Sequence, residues 1–501
     1  MSRTLEITER CLGATPKIHD APDWINQADN PYLHGIYAPT LNTNTHTEAL
    51  EVIGELPTDL YGAYLRNGPN PVFKPKHHYH PFDGDGMIHG VFFNEGRVAY
   101  RNNLIDTACL MQERDQGEAV WPGVMGPFDF SLPDFPIKDT ANTDIILHNG
   151  RLMSLWYNSG IPYLLDPLTL ANLGPLASPS RLSRRLSAHS RLDWFTGELF
   201  FFDYGDEVPY MIYGVMNPDG SLKHEVGIDL PGPRLPHEIA FTGQHAILHD
   251  HPFFHDVEVL RKFNARVVQF HRHLPTRFGL IPRLGTEVRW FEFEPCYVLH
   301  TSNAWEDGEW VVIDGCRSAN PMPKANPDEG VLAHMLSYMR LEANNYRWQI
   351  NTKTNEVREG PICDLNSDFN KSNPLFHGIK TRYAYHQAIP LLEDGGHTLR
   401  FTALLKYDNE LGTHQRWEYG AGVFGSEAAF APKRGVTRDG EEDDGYVITL
   451  VTDSKDWTSS CLIFDAKDIG PGPIATVRLP QRIPAGFHAG WARGEELGLT
   501  A

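Results

Sequence analysis

Apolar residues along this chain come in short runs that Gly, Pro, Asn and Asp interrupt, and long stretches with a 3.6-residue period are hard to find. This is a strand-and-turn pattern. Turn signals recur between β-rich runs at Asn94-Glu95-Gly96, Asn149-Gly150, Thr196-Gly197, Asp219-Gly220, Asp307-Gly308 and Asp444-Gly445, each expected to be a hairpin tip. IILHNGRLMSLWY reads as strand, tight turn, strand, because Asn and Gly tolerate the positive φ of a two-residue turn. GELFFFDY and DGEWVVIDG extend the pattern. Hairpins spaced over the whole chain, with no composition break to mark a linker, predict an all-β fold and favour a single β-propeller domain over residues 1–501. Two segments depart from the pattern, about 104–138 (LIDTACLM, VWPGVMGPFDF) and about 253–285 (FFHDVEVLRKF, RFGLIP), and are expected to be insertions forming a cap or an entrance. The first is rich in apolar and aromatic residues, which suits either a cap packed on the propeller or a peripheral contact with a membrane surface.

Composition narrows the function. Hydrophobic residues make up 41% and aromatics 11% of the 501 residues, enough for a packed core. A formal net charge of -20 lacks the basic field that phosphate binding needs, so nucleic acid is not expected as a partner. The N-terminus MSRTLEITERCLGATPKIHD carries acidic residues and no apolar run of signal-peptide length, and no apolar stretch reaches the ~20 residues of a membrane span. A soluble cytoplasmic protein, at most peripheral to a membrane, is expected. Cys11, Cys109, Cys296, Cys316, Cys363 and Cys461 are scattered without a CxxC pair, which fits reduced thiols.

Of the 24 histidines, four lie in or beside β-runs next to small or turn residues: His189, His237, His300 and His488. They are 48, 63 and 188 residues apart, so only the fold can bring them together, and the inner strands of a propeller point at its axis. Four neutral imidazoles suit Fe, Zn, Cu or Ni. His77-His78-Tyr79-His80 and His249-Asp250-His251 look more like metal motifs, but neighbours in a strand point to opposite faces, and both are read as loop residues.

The segments NPYLHGIYAP, GELPTDLYGAYLRNGPNPVF, FDGDGMIHGVFF and NTDIILHNGRLMSLW, the four histidine contexts, and EDDGYVITLV, IFDAKDIGPGPIATVRLP and GFHAGW follow one another in a single order. In this the sequence resembles the carotenoid cleavage oxygenases, which include the lignostilbene dioxygenases and the retinal pigment epithelium isomerase. The resemblance implies a seven-bladed propeller with one Fe(II) per chain on its axis, held by His189, His237, His300 and His488. It implies carboxylates that orient three of the ligand rings: Glu427 falls on one such position, and Asp368 stands where a Glu is usual, one methylene shorter. At the third, Tyr157 or Asn158 replaces the family Glu. Thr143 matches a residue that crowds one open position at the metal.

The implied reaction is cleavage of one C=C bond in an apolar conjugated molecule by O2, giving two carbonyl products. Stilbene-cleaving relatives carry a Lys beside the missing Glu, and Trp156-Tyr157 here favours a carotenoid or apocarotenoid. A stilbene or phenylpropene is the alternative substrate, followed by isomerohydrolase chemistry without O2 and by a non-catalytic propeller scaffold. The sequence assigns no oligomeric state.

Overall fold

The computed structural model describes residues 16–27, 30–132, 135–391 and 399–499; residues 1–15, with Cys11, lie outside the described residues. The chain is mostly β-strand with a few short helices, as the alternation of apolar runs and turn residues requires. The paired strands run antiparallel. Asn149 (φ 49°) and Gly150 (φ 65°) both take the left-handed conformation at the tip joining Asp144–His148 to Arg151–Leu155. Glu95 and Gly96 do the same between Gly86–Asn94 and Arg97–Leu104. Asp444-Gly445 is not a tip: Gly445 begins the strand Gly445–Asp453 after the long connection from Ala429–Pro432.

Successive sheets follow the chain. Asp144–His148 to Asn172–Pro175 form one of four strands, Arg191–Leu192 to Leu222–Ile228 a second, and Ile239–Phe241, His245–Asp250, Thr276–Pro282 and Arg289–Phe293 a third. A seven-stranded sheet then runs from Tyr297–Asp307 to Thr413–Glu418. Its long strand Val357–Lys371 pairs with Asn344–Asn351 through its first part and with Tyr383–Ala388 through its last. The two ends of the chain are interleaved. Ala489–Arg493 pairs with Gly62–Pro69, and Val52–Gly54 pairs with Ala475–Arg478.

Hydrophobic clusters sit between consecutive sheets, because most strands bury both faces. Leu199 and Phe201 pack towards the preceding sheet, while Phe200 and Phe202 pack towards the following one. Side chains alternate across a strand, so a doubly buried strand reads as the continuous run LFFFDY. Another cluster joins Tyr64, Val91 and Tyr100 of the first sheet to Ile448, Ile463 and Val477 of the last.

The segment 104–138 contributes the helix Ala108–Gln116, capped by Thr107 and ended by Gly117 in the left-handed conformation. In 253–285, the ribbon Phe253–His255 with Val268–Phe270 and the helix Val257–Phe263 stand outside the four-stranded sheet, whereas Thr276–Pro282 is one of that sheet's inner strands. No described helix is long and apolar enough to cross a membrane. The described cysteines are free thiols.

Candidate metal centre and its cavity

His189, His237, His300 and His488 converge. Their candidate ligand atoms all lie within 4.8 Å of one another, and their rings are only 3–7% exposed. Each comes from a different stretch of sheet. His300 lies in Tyr297–Asp307 where the register shifts between Val298 and Thr301, and a Cβ on the facing Gly315 would sit 2.9 Å from the His300 carbonyl oxygen. His488 immediately precedes Ala489–Arg493, its N–H bonded to the Thr143 carbonyl at 3.2 Å. His189 (φ 62°) and His237 (φ 63°) both adopt the left-handed conformation, which costs on the order of 1–3 kcal/mol each for a non-glycine residue. Such strain persists only where surrounding structure holds it.

Carboxylates orient two of the rings. Asp368 Oδ1 accepts from His300 Nδ1 at 2.7 Å, and Glu427 Oε1 from His488 Nδ1 at 3.1 Å. With Nδ1 donating, each imidazole presents Nε2 as a lone-pair donor. Burial would raise the Glu427 carboxyl, but Lys371 at 3.1 Å, His488 and the Ala489 N–H bring it down to about 2. Asp368 reaches His300 directly despite its short side chain, because the strand is irregular between Asp368 and Lys371 and Phe369 takes φ 55°. The Phe369 ring then stacks on His488, centroids 5.1 Å apart.

A third carboxylate escaped the sequence reading. Asp144 Oδ2 accepts the His189 backbone N–H at 3.0 Å and lies 4.0 Å from His189 Nδ1. Its only signal in the sequence is adjacency to Thr143.

Thr143, buried, donates its hydroxyl to Asn142 Oδ1 and accepts the Tyr157 N–H, both at 3.0 Å. Tyr157 and Asn158 make no hydrogen bond to the four histidines. Asn158 Oδ1 is taken by Arg266 at 2.8 Å, and the Tyr157 ring packs on Phe82 at 4.1 Å. Neither neighbour therefore orients a histidine ring in place of the missing Glu. His249 is not a loop residue but belongs to the strand His245–Asp250, while His251 lies in the connection that follows it; both are buried, packed edge-on to Phe278 and Tyr297.

The cluster fits a metal ion. Nε2 of His189 and of His300 is buried without a hydrogen-bond partner, an arrangement costly for a polar atom unless something accepts its lone pair. Burial, followed by the neighbouring histidines, pushes His189 and His237 well below the usual imidazole range, and burial lowers His488 against the pull of Glu427. Neutral imidazoles are the ligand form.

One cavity opens on this centre. Thr143, His237, His300 and His488 form one part of its wall, and Phe82, Tyr297, Leu299, Leu341, Phe369, Leu399 and Phe487 supply apolar surface. Ser318, Asn320, Arg340 and Glu342 add polar groups.

The family model described as retinal pigment epithelial membrane protein matches residues 37–493. The carotenoid 9,10(9',10')-cleavage dioxygenase 1 of Phaseolus vulgaris is 32% identical over 93% of this chain and 90% of its own. The isoeugenol monooxygenase of Pseudomonas nitroreducens is 29% identical over 92% and 98%. Among solved structures, the lignostilbene dioxygenase of Pseudomonas brassicacearum superposes with a TM-score of 0.82 at 28% identity, covering 93% of this chain and 99% of that one. A cobalt-substituted Synechocystis apocarotenoid oxygenase gives 0.79 at 26%, covering 91% and 97%.

Proposed function

Because the chain belongs to the retinal pigment epithelial membrane protein family, that of the carotenoid cleavage oxygenases, and is an oxygenase, we propose that it is a non-haem iron(II) dioxygenase that cleaves one C=C bond of a carotenoid or apocarotenoid to two carbonyl products. The observation that carries this is the meeting of four buried imidazoles with an apolar cavity. His189, His237, His300 and His488 would hold one ion per chain, and the chemistry it would supply when bound is activation of O2 towards the alkene.

The protein's own contribution is orientation and exclusion of water. Asp368 and Glu427 fix the tautomers of His300 and His488. Phe82, Leu299, Phe369 and Phe487 would hold a conjugated chain so that one double bond lies beside the centre, and shape then selects the bond cleaved. Thr143, anchored by Asn142 and Tyr157, would narrow the space next to the ligands.

The same reading treats the sheets as blades of one seven-bladed propeller spanning the chain, with the helix Ala108–Gln116 and the ribbon after Phe253 as its cap. Counting the seven-stranded sheet as two meanders sharing Val357–Lys371 gives seven, and the cluster between last and first sheets supports closure.

A stilbene or phenylpropene is the second reading, supported by the lignostilbene dioxygenase and isoeugenol monooxygenase likenesses. Protein purified without oxygen, assayed for iron, then given 18O2 with apocarotenals, β-carotene, resveratrol and isoeugenol distinguishes them. The expected result is about one iron per chain and two labelled carbonyl products from an apocarotenal. Cleavage of resveratrol or isoeugenol alone would move the substrate to the second class. Product without label would overturn the oxygenase mechanism, and no iron with no product would leave a scaffold.

An apolar substrate is delivered most readily from a bilayer, and we propose a cytoplasmic, peripheral membrane contact through the exposed apolar residues Phe130, Leu182, Val208, Phe263 and Val267. All five are at least half exposed, with Arg261 and Lys262 beside them. Co-sedimentation with vesicles containing anionic lipid should fall several-fold in a Phe130→Ser, Phe263→Ser double variant. Equal sedimentation of both proteins would remove the contact from these residues.

A further inference from the structure

Asp368 meets His300 through Oδ1, while its other oxygen, Oδ2, is buried with no hydrogen-bond partner. A carboxylate oxygen is not left so without cost. Beside it lies Cys316, fully buried in the strand Trp310–Ser318. The sulfur is held by its surroundings: Asn370 Nδ2 donates to it at 3.1 Å, and His386 Nδ1 stands 3.6 Å away. Asn370 also donates to the His300 carbonyl at 3.1 Å, tying the sulfur's neighbour to the ligand's own backbone. Ser367 completes the cluster, its hydroxyl 3.3 Å from His386 Nδ1 and 3.1 Å from the Tyr407 hydroxyl. Burial, and then the Asp368 carboxylate, raise the Cys316 thiol well above its ordinary range, so it keeps its proton.

Cys316 accepts from Asn370, which leaves its S–H to give to His386 Nδ1 or to Asp368 Oδ2; the Ser367 hydroxyl can serve His386 Nδ1, whereas Asp368 Oδ2, a neighbour of the sulfur, has no other donor among the described residues. The carboxylate also sits on an irregular stretch of strand, next to a residue at φ 55°, where Oδ1 takes both the His300 Nδ1–H and the Phe369 N–H at 2.6 Å and Oδ2 is left without an anchor.

We propose that Cys316 is a positioning residue for His300: its S–H donates to Asp368 Oδ2, locking the carboxylate that in turn locks the imidazole. This rests on the metal reading above and extends it one residue further from the ion. His386 and Asn370 act on the sulfur, not on the ligand ring.

Cobalt(II) alone, titrated into metal-free protein, is the first probe, with kcat and KM of the iron-loaded enzyme as the second. Cys316→Ala should weaken cobalt binding about tenfold, in the range seen when supporting partners of metal ligands are removed, and lower kcat with little change in KM. Cys316→Ser keeps a donor and should recover most of the affinity. A wild-type minus Cys316→Ser infrared difference spectrum should show an S–H stretch shifted to low frequency, as for a thiol donating to a carboxylate. That measurement stands even where the alanine variant does not fold. A band at the free-thiol position, wild-type affinity in folded Cys316→Ala, or equal loss in the Ala and Ser variants would overturn the inference. Failure of the wild type itself to bind cobalt would overturn the metal reading and this one together.

Discussion

Bound iron and turnover both fall below about one hundredth of wild type when His300 is replaced by alanine. Removing a group that merely supports a metal ligand costs about 10–100-fold in affinity or activity, so removing a ligand must cost more. The variant also takes from the buried Asp368 carboxylate the imidazole N–H that it holds at 2.7 Å, leaving Oδ1 the Phe369 N–H alone. A hydrogen bond to a charged group is worth about 1.5–3 kcal/mol, so a drop in melting temperature of several degrees should accompany the loss. Circular dichroism must show the variant folded at the assay temperature. His414→Ala, at an exposed histidine, is the control and should leave iron and turnover unchanged. Iron and turnover retained in His300→Ala would remove the four-imidazole centre from the mechanism.

Acid should unfold the metal-free protein well above the pH at which carboxylates protonate. Burial holds His80, His251, His377 and His386 at about 3, and pushes His89 and His249 well below the usual imidazole range. Their folded values lie below the unfolded 6.5, so the unfolded chain binds more protons as pH falls from 6.5 towards 3. Stability from these six is complete above pH 6.5 and is lost below it. Asp83, Asp139 and Glu442, raised by burial to about 7, work the other way by taking up protons in the folded state between about pH 4 and 7. For these nine groups the balance is roughly three protons, about 4 kcal/mol per pH unit at the steepest, against a typical total stability of about 5–15 kcal/mol. Urea midpoints should therefore fall steeply between pH 6.5 and 4. His251→Phe should flatten that slope by one proton, and a midpoint constant across the range would mean that the buried rings are solvated as the protein stands.

Much of this architecture was legible because turn chemistry is local. Asn149-Gly150 takes the positive φ that its residues favour, and LFFFDY shows its double burial as an unbroken apolar run. The histidine set was legible through its separated motifs, since spacings of 48 to 188 residues carry no geometry of their own. What stayed hidden depends on tertiary packing. Composition gives no warning that the backbone kinks at Phe369, and that kink lets Asp368 reach His300 without an intervening group. His249 reads as a loop residue in the sequence, yet it lies in a strand, and it and His251 pack against the aromatic rings of Phe278 and Tyr297. Asp144 acts on a backbone N–H that is 45 residues distant, a relation no local window contains. Asp444-Gly445 carries a turn dipeptide but serves as the entry to a strand, because Gly445 pairs with Pro432 across a long connection.

The interleaved ends of the chain also set a clock on biosynthesis. His488 directly precedes Ala489–Arg493, which pairs with Gly62–Pro69, so a ligand and the strand that seats it are translated more than 400 residues after their partner strand. During elongation the nascent chain carries three of the histidines without the fourth, and the first sheet waits with an unfilled edge. A ribosome that stalls before residue 488 releases a chain lacking both. Completion of the centre thus coincides with completion of the sheet, and a prematurely terminated product exposes an open strand edge, the kind of surface that quality-control proteases and chaperones engage.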